Sequence, residues 1–500
     1  MLDKKQYQSI LKKYWGFKKL KSKQKKIIKR FLKNKDTIGL LTTGYGKSIC
    51  YLLPPLLTNK TIIIVSPLIS LMEDQKEKLV SKGIPCSCLN SNNKNRNEEI
   101  KEILENKIRI IYTSPEYLIE NDGLEIAKQL YLQNELLGFA IDEAHCVSNW
   151  GHDFRSTYLK LGILKDNFDL PIMALTATAT DIVIEDIINY LKIEKNIVKN
   201  SFDRPNLFIK CCQVKTINTQ VLKPYLDKYI DDKIIIYTNT RSDSDNLAEK
   251  LEKDGYNIIS YHAGLNAKTR DLIQHQFNSG KANIIVSTIA FGMGIDQTIR
   301  CVLIIGAPSS LEEYYQQIGR AGRDHLPAET VLFFHYTSFK IQQHYLKNIK
   351  HPIIKKAKTF QLNKMNQFLF ENQCRRKVLL EYFQESTDYY QCNNCDNCLN
   401  NTIDITKYLL YFYQENKKNN KKDKLLNLLL KFYNDNSFWN QLIIYLKKNN
   451  YLFIKNDLLL MTSKFYQFIN LQQKNNNLLF KIDNSFEIKS DEQLIINQFL

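Results

Sequence analysis

Short continuous apolar runs alternate with stretches of helical periodicity from residue 36 onward. Five of these runs, at residues 37–41, 61–66, 108–113, 136–142 and 172–176, predict buried strands. Runs of this length that are separated by helical stretches are typical of parallel strands covered by helices on both faces. The pattern therefore predicts an α/β domain.

A second set of apolar runs follows residues 195–232, which the pattern predicts to be a linker. The predicted strands of this set lie at residues 233–237, 257–261, 283–287, 301–305 and 330–334. The two sets predict two tandem parallel-sheet domains, at residues 1–200 and 201–340. Ligands of such sheets bind at the C-terminal ends of the strands.

The pattern changes after residue 340. It is helical and basic to about residue 373, and a cluster of four cysteines follows, so residues 341–400 are predicted to form a metal-binding module. Residues 401–500 are rich in Asn, Lys and Leu, and residues 416–424 are predicted to be an exposed loop. Predicted helices at residues 438–453 and 458–469, around a short strand, indicate a winged-helix-like domain.

The loop after the first strand carries the pattern of a phosphate-binding site. Gly44 and Gly46 allow the backbone to fold tightly and to turn its N–H groups toward an anion. The predicted helix that begins near Lys47 adds the positive end of its dipole. Lys47 can reach the β- and γ-phosphates of a nucleotide, and the Ser48 hydroxyl can bind Mg²⁺. With Thr43, these residues are the candidate ATP ligands.

Two adjacent carboxylates, Asp142 and Glu143, end the fourth predicted strand. In a nucleoside triphosphatase, Asp142 would hold Mg²⁺ through water, and Glu143 would orient and deprotonate the attacking water. Solvated acids at a strand end are the alternative. The order of the two motifs along the chain favours catalysis, with Lys47, Asp142 and Glu143 as candidate catalytic residues.

The positive net charge of the chain indicates a polyanionic binding partner. The net charge of +18 and the sequence pI of about 9.1 favour nucleic acid, although a Lys- and Asn-rich composition alone raises the charge. Residues 1–35 hold fourteen Lys or Arg and one acid, Asp3, which a nucleic-acid contact and a solvated helix face explain equally well. The sequence has no run of 18 apolar residues and no secretory signal pattern, so a soluble intracellular protein is expected.

Four of the eleven cysteines lie close together in the chain. They are Cys374, Cys392, Cys395 and Cys398, in the spacing C-x17-C-x2-C-x2-C. Four thiolates at this spacing in an intracellular chain predict a tetrahedral structural Zn²⁺ site. A redox pair and an iron–sulfur cluster are the alternatives. The other seven cysteines are scattered and are predicted to be reduced core residues.

Residues 10–400 resemble the RecQ family of superfamily 2 helicases, whose motifs occur here in the same order. Residues 65–75 and 112–116 resemble the strand-tracking motifs of that family, and residues 175–179 resemble its coupling motif. The resemblance implies two RecA-like domains, with ATP and Mg²⁺ bound between them, followed by a helical four-cysteine zinc module and a degenerate winged helix.

The resemblance also assigns further nucleotide contacts. Gln24 matches the glutamine that hydrogen-bonds the adenine edge, whereas a neighbouring Arg of the family is Lys21 here. Arg320 and Arg323 match the arginine-finger motif, which stabilises charge on the γ-phosphate in the transition state. Because they are three residues apart, they are expected to share one face of a helix. Asp296 could accept a ribose hydroxyl.

Residues 142–155 resemble the aromatic-rich loop that follows the catalytic carboxylates in RecQ enzymes. The resemblance assigns nucleic-acid contacts to Trp150, His152, Phe154 and Arg155. The two aromatic rings offer faces on which bases can stack, and Arg and His offer phosphate contacts. Packing of both rings in a core is the alternative.

The resemblance as a whole implies an ATP-driven 3′→5′ DNA helicase that acts on single strands and duplex junctions in DNA repair, recombination or replication. Arg375 and Arg376 would contact the duplex backbone or be solvated. A DEAH-type RNA helicase is one alternative, because the ATPase core serves either nucleic acid. A non-catalytic nucleic-acid-binding scaffold is the other, and the intact catalytic residues argue against it.

Overall fold

The computed structural model describes most of the first 400 residues and short segments beyond them. The described residues are 3–90, 96–151, 153–216, 218–289, 291, 297–335, 337–371, 373–387, 391–399, 402–404, 413, 446, 451–455, 458–462, 465 and 481–483. The chain forms two compact units, Met1–Glu371 with Arg376–Thr387 and Asn372–Arg375 with Asp388–Leu500.

The first unit contains two parallel sheets, and the first of these has seven strands. Their order is β3-β4-β2-β5-β6-β1-β7. The strands are β1 (Thr37–Leu40), β2 (Thr61–Val65), β3 (Cys86–Leu89), β4 (Ile110–Thr113), β5 (Leu136–Ile141), β6 (Ile172–Thr176) and β7 (Ile197–Lys199). All neighbouring pairs are parallel.

Helices cover both faces of this sheet. They are α1 (Lys4–Trp15), α2 (Ser22–Phe31), α3 (Lys47–Thr58), α4 (Ile69–Val80), α5 (Arg96–Leu104), α6 (Pro115–Glu120), α7 (Gly123–Leu132), α8 (Ile163–Asn167) and α9 (Asp181–Leu191). Ile62 and Ile64 pack into one buried apolar cluster with α1, α2 and α3, while Ile63 and Val65 pack into a second cluster on the other face. Alternate residues of a strand point to opposite faces, so a strand covered on both sides is apolar throughout.

The second sheet of this unit has six parallel strands in the order β10-β11-β9-β12-β13-β8. The strands are β8 (Leu207–Gln213), β9 (Ile234–Thr238), β10 (Ile258–Tyr261), β11 (Ile284–Ser287), β12 (Cys301–Ile305) and β13 (Ala328–Phe334). The helices are α10 (Lys223–Lys228), α11 (Arg241–Lys253), α12 (Ala267–Ser279), α13 (Leu311–Ile318), α14 (Ser338–Lys347) and α15 (Pro352–Phe370). The predicted α/β architecture with two tandem parallel sheets is confirmed.

The prediction of a linker at residues 195–232 is wrong. This segment contains β7, β8 and α10, and both strands lie at sheet edges. In β8, Leu207 and Ile209 are buried but the intervening residue is partly exposed, so the segment lacks the continuous apolar run of a central strand. β3 was missed because Cys86, Ser87 and Cys88 are buried without forming a strongly apolar run.

The rest of the chain contributes short elements. α16 spans Arg375–Tyr382 and α17 spans Asp396–Leu399. β14 (Thr402–Asp404) pairs antiparallel with β17 (Lys481–Asp483), and β15 (Leu452–Lys455) pairs antiparallel with β16 (Leu458–Met461).

The helix predicted from residue 458 is therefore wrong over β16, and the helix predicted at residues 438–453 is wrong at its end. Two short apolar runs separated by two residues favour a hairpin over a helix. The predicted loop at residues 416–424 lies outside the described residues, and the winged-helix-like domain stays a prediction. Within the part of the chain that the structure describes, no helix is long and apolar enough to cross a membrane.

Candidate functional site

The loop between β1 and α3 lines a cavity of about 580 Å³. Gly44 and Gly46 have φ angles of +80° and +87°, a left-handed conformation that side chains disfavour. α3 begins at Lys47, directly after this turn. The cavity brings together nine of the residues predicted from the sequence, namely Thr43, Gly44, Gly46, Lys47, Ser48, Asp142, Glu143, Arg320 and Arg323.

The two carboxylates directly follow β5 and line the same cavity. The Lys47 ammonium lies 3.1 Å from Glu143 Oε1. Asp142 is buried, and Tyr51 donates to its Oδ2 across 3.4 Å. Burial, reinforced by the Glu143 charge and opposed by Lys47, raises the pKa of Asp142 to about 6. A divalent cation would relieve this cost, and the Ser48 hydroxyl and the Asp142 carboxylate are oxygen donors that fit Mg²⁺.

Glu143 combines a strained backbone with a buried side-chain oxygen that lacks a hydrogen-bond partner among the described residues. Its φ is +46°, and its Oε2 is buried without a hydrogen bond among the described residues. His145 Nδ1 lies 3.4 Å from that oxygen and 2.9 Å from Thr176 Oγ1. Burial lowers the pKa of His145 to about 3, so the ring is neutral near pH 7 and does not neutralise Glu143. A strained backbone and an unsatisfied carboxylate oxygen favour a functional role over a structural one.

The two arginines do not share a helix face as predicted. α13 ends at Ile318, and both arginines lie in the turns that follow. A parallel bridge between Ile299 and Ala321 fixes this segment, which carries both side chains to the cavity. The Arg323 side chain packs so closely on Gly44 that a Cβ there would lie 3.1 Å from its Cγ. The helix prediction failed because the glycines that flank the arginines favour turns.

Arg204 joins these two loops, although no sequence motif predicts this role. Its Nη2 donates to the carbonyls of Ala321 and Gly322, each across 2.8 Å, and its Nη1 lies 3.5 Å from the carbonyl of Thr43. The side chain is 8% exposed. Its position in a predicted linker gave no signal of this role.

Gln24 directly contacts the loop between β1 and α3, residues 41–46, which is the predicted phosphate loop. Its Nε2 donates to the carbonyls of Tyr45 and Gly46, each across 3.0 Å, and its Oε1 accepts from the Lys21 amide across 2.8 Å. The predicted adenine contact would therefore require the amide to exchange these partners. The exposed ring of Phe17 lines the same cavity and was missed, although an exposed aromatic seven residues before the glutamine is a usable signal.

The aromatic-rich loop packs against α15. The rings of Trp150 and Phe360 meet edge to face with centroids 6.0 Å apart, and Gln361 donates to the Trp150 carbonyl across 2.6 Å. Arg155 donates to the Pro67 carbonyl across 2.6 Å, and Phe154 is half-buried. Trp150 is thus engaged within the protein. The other predicted members of these sites, His152 and Asp296, lie outside the described residues.

A second cavity of about 780 Å³ adjoins the first. Glu143, Gln316 and Arg320 line both cavities. The second cavity is also lined by residues that follow strands of both sheets, including those at positions 67, 240, 241 and 288. A ligand there and a nucleotide in the first cavity would therefore share three side chains.

The cysteine cluster forms in the second unit. The Sγ atoms of Cys374, Cys392, Cys395 and Cys398 all lie within 4.8 Å of one another. Hydrogen bonds with Cys374 and Cys392 help to raise the pKa of the Cys395 thiol. A bound cation would lower this pKa, because it stabilises the thiolate. Four converging thiols fit tetrahedral Zn²⁺ and leave no position for a substrate.

Both interpretations of Arg375 and Arg376 are wrong. Arg375 is 5% exposed and donates from Nε to Asp396 across 3.0 Å. Arg376 is 4% exposed, contacts Asp203 at 2.9 Å and donates to the Leu207 carbonyl across 2.6 Å. These arginines satisfy buried acceptors, and neither is presented to solvent or to a duplex.

Three family models match the chain. A DEAD/DEAH box helicase domain matches residues 21–187, a helicase conserved C-terminal domain matches residues 217–325, and a RecQ zinc-binding domain matches residues 336–399. Their order and extent follow the two sheets and the cysteine cluster.

Two relatives and one solved structure illustrate the similarity. The chain is 38% identical over 397 residues to a putative ATP-dependent RNA helicase of Acanthamoeba polyphaga mimivirus, covering 79% of this chain and 72% of that protein. It is also 38% identical over 397 residues to the ATP-dependent DNA helicase RecQ of Haemophilus influenzae, covering 78% and 63%. The chain thus spans less than two thirds of that RecQ protein. Saccharomyces cerevisiae Dbp5 bound to RNA and ADP BeF3 matches with a TM-score of 0.54 at 19% identity, over 71% of this chain and 97% of Dbp5, and shares the fold.

Proposed function

The chain belongs to the RecQ family of ATP-dependent helicases, and we propose that it moves 3′→5′ along single-stranded DNA and separates duplex DNA in repair, recombination or replication. One observation carries the proposal. A single cavity joins the phosphate loop and carboxylates of the first sheet to two arginines that follow α13 of the second. Such a cavity changes when the two domains close on a nucleotide, which is what a translocating ATPase requires.

In this proposal, residues 1–200 and 201–340 are the two RecA-like domains. Residues 341–400 are the zinc module, and residues 401–500 are a winged-helix-like domain. ATP and Zn²⁺ are the ligands of the matched domains, and Mg²⁺ is proposed from the oxygen donors beside the phosphate loop. Mg²⁺, when bound, would neutralise charge on the β- and γ-phosphates.

Different residues of the protein are proposed to bind the phosphates, hold the cation and activate the water. Backbone N–H groups of the phosphate loop and the Lys47 ammonium bind the phosphates, while Ser48 and Asp142 would hold the cation. Glu143 orients the attacking water and accepts its proton, and its Oε2 has no hydrogen bond to any described residue. The remaining proposed contacts come from the family motifs. Arg320 and Arg323 stabilise the charge that develops on the γ-phosphate, and Gln24 and Asp296 contact the adenine and the ribose.

The single strand would lie along the second cavity, where Thr240, Arg241 and Thr288 are suited to phosphate oxygens. Because Glu143 lines both cavities, strand occupancy can reach the catalytic carboxylate directly. The aromatic-rich loop would contact the strand beside this cavity, through Trp150, His152, Phe154 and Arg155.

A strand-separation assay tests the proposal. Matched duplexes with a 3′ tail, with a 5′ tail, and with RNA in place of DNA are supplied with ATP. The expected result is unwinding of the 3′-tailed DNA, and none by Glu143→Gln. The mimivirus relative, which is described as a putative RNA helicase, favours the alternative substrate. Unwinding of RNA alone would establish that alternative, and absence of ATP hydrolysis in folded protein would favour a scaffold.

A further inference from the structure

We infer that the solvent-facing side of α1 and α2 binds the phosphate backbone of duplex DNA. This surface, the basic helix pair, consists of the exposed lysines at positions 5, 12, 13, 26 and 29. The inference rests on the proposed function, because it takes DNA to be the nucleic acid. It adds a second DNA contact outside the cavities described above.

The positive charge of the chain is concentrated in this region. Residues 1–35 hold fourteen Lys or Arg and one acid, a net charge of +13 out of the total of +18. The remaining 465 residues therefore carry only +5. A Lys-rich composition would spread its excess along the whole chain, so composition does not explain this concentration.

The two helices hold the charge on one side. α1 buries Tyr7 and Leu11, and α2 buries apolar residues at positions 27, 28 and 31, all in the apolar cluster that also contains α3. At 100° per residue, Lys5 and Lys12 lie opposite the buried stripe of α1, and the lysines at positions 26 and 29 lie opposite that of α2. Both outer faces are therefore basic because both inner faces are fixed by packing on the same core.

No lysine of this surface forms an ion pair with a described carboxylate. No Lys or Arg of residues 3–35, all of which the structure describes, lies within 4.0 Å of a carboxylate oxygen of any described residue. Exposed lysines elsewhere commonly have such partners, as in the pairs Lys160–Glu120 and Lys192–Asp166. Contacts with tyrosine rings, which the lysines at positions 13, 21 and 25 make, leave their charges in place.

The chemistry of the surface fits duplex phosphates. Lysines act as point charges toward phosphate and carry no base-reading geometry. At 1.5 Å per residue, the 12-residue α1 and the 10-residue α2 span about 18 Å and about 15 Å. A duplex presents a charge about every 1.7 Å of its axis, about twice the density of one strand. Among the described residues, no lysine lines the 780 Å³ cavity, so the two proposed DNA contacts use separate residues.

The test compares two triple variants of the full chain with equal loss of charge. K12Q/K26Q/K29Q alters the basic helix pair. K128Q/K250Q/K281Q alters three lysines that are also exposed and that make no ion pair among the described residues. Binding to a blunt DNA duplex of about 20 base pairs, and to an RNA duplex of the same sequence, is measured by fluorescence anisotropy from about 50 to about 200 mM salt.

The basic-helix-pair variant is expected to bind duplex at least about tenfold more weakly at the lowest salt. The slope of log K against log salt should fall by about 2 to 3, because each lost phosphate contact removes about 0.9. The control variant should change affinity by less than about twofold. Equal losses in both variants, or an unchanged slope, would overturn the inference. So would a loss confined to double-stranded RNA.

ATP hydrolysis stimulated by single-stranded DNA is measured on the same proteins. If the basic-helix-pair variant keeps both this activity and its duplex affinity, DNA binding by the basic helix pair is excluded and the proposed function is not. Absence of the activity in the unaltered protein would instead reject the proposed function.

Discussion

The phosphate loop and the aromatic-rich loop both follow strands of the first sheet, but different interactions fix them. The phosphate loop is set by its own backbone, through Gly44 and Gly46 in left-handed conformations and the start of α3 at Lys47. The aromatic-rich loop is set by a distant helix, through Phe360 and Gln361. Local sequence therefore specifies the first site, whereas the second depends on contacts about 210 residues apart in the chain.

Replacement of Lys47 by Ala tests the locally specified site and should have the largest effect on ATP turnover. Loss of the ammonium beside the phosphates should lower kcat by about 100-fold or more, because a positioned charge acts directly on the transition state. Steady-state phosphate release measures the change. Lys60→Ala, beyond the other end of α3, is the control and should leave kcat unaltered. A Lys47→Ala protein with normal turnover would contradict the assignment of this loop.

Arg204 tests the link between the two domains. Arg204→Gln should lower kcat by about tenfold while KM for ATP changes by less than about threefold, because the arginine positions the loop that carries Arg320 and Arg323. Arg204→Lys should restore part of kcat, since it can donate to at least one of the two carbonyls.

The matched control is Arg109→Gln. Arg109 is partly buried, but its side chain pairs with Glu135 at 2.8 Å and not with the loop that carries Arg320 and Arg323. Its replacement should therefore leave kcat within about twofold of the unaltered value. Equal loss of kcat in both variants, or a rise in KM alone, would reduce Arg204 to a structural residue.

The contact of Trp150 with Phe360 tests how the aromatic-rich loop is held. A base that stacks on Trp150 competes with this ring pair, which is worth about 0.5–1.5 kcal/mol. Phe360→Ala should therefore lower the DNA concentration for half-maximal ATPase stimulation by about two- to tenfold. Phe370→Ala, at the end of the same helix, should not. A higher DNA requirement in Phe360→Ala would show that the contact supports binding instead.

The zinc centre should affect turnover least. Its four thiols belong to the second unit, whereas all described residues that line the cavity of about 580 Å³ belong to the first. Cys395→Ser should lose zinc and solubility, while kcat of the soluble fraction changes by less than about twofold. Elemental analysis measures the metal, and Cys212→Ser should retain it. Stoichiometric zinc in Cys395→Ser would reject the assignment of a four-cysteine zinc site.

Features that local sequence specifies could be predicted, whereas features that depend on distant contacts could not. The central strands and the residues at their ends, such as Lys47 and Asp142, follow from continuous apolar runs that break into polar loops. The edge strands β7 and β8 were missed because an edge strand needs no such run. The sequence does not predict that Arg376 is buried, because no local pattern reveals its partner Asp203, 173 residues away.

The proposed function depends above all on Glu143, which is proposed to catalyse ATP hydrolysis in response to a bound single strand. The most direct test measures ATP turnover by the unaltered protein and by Glu143→Gln, with and without single-stranded DNA, alongside nucleotide binding. DNA is expected to stimulate the unaltered protein strongly, and Glu143→Gln is expected to lose about 100-fold or more of this turnover with nucleotide binding retained. Unchanged turnover in Glu143→Gln would exclude a catalytic role for Glu143.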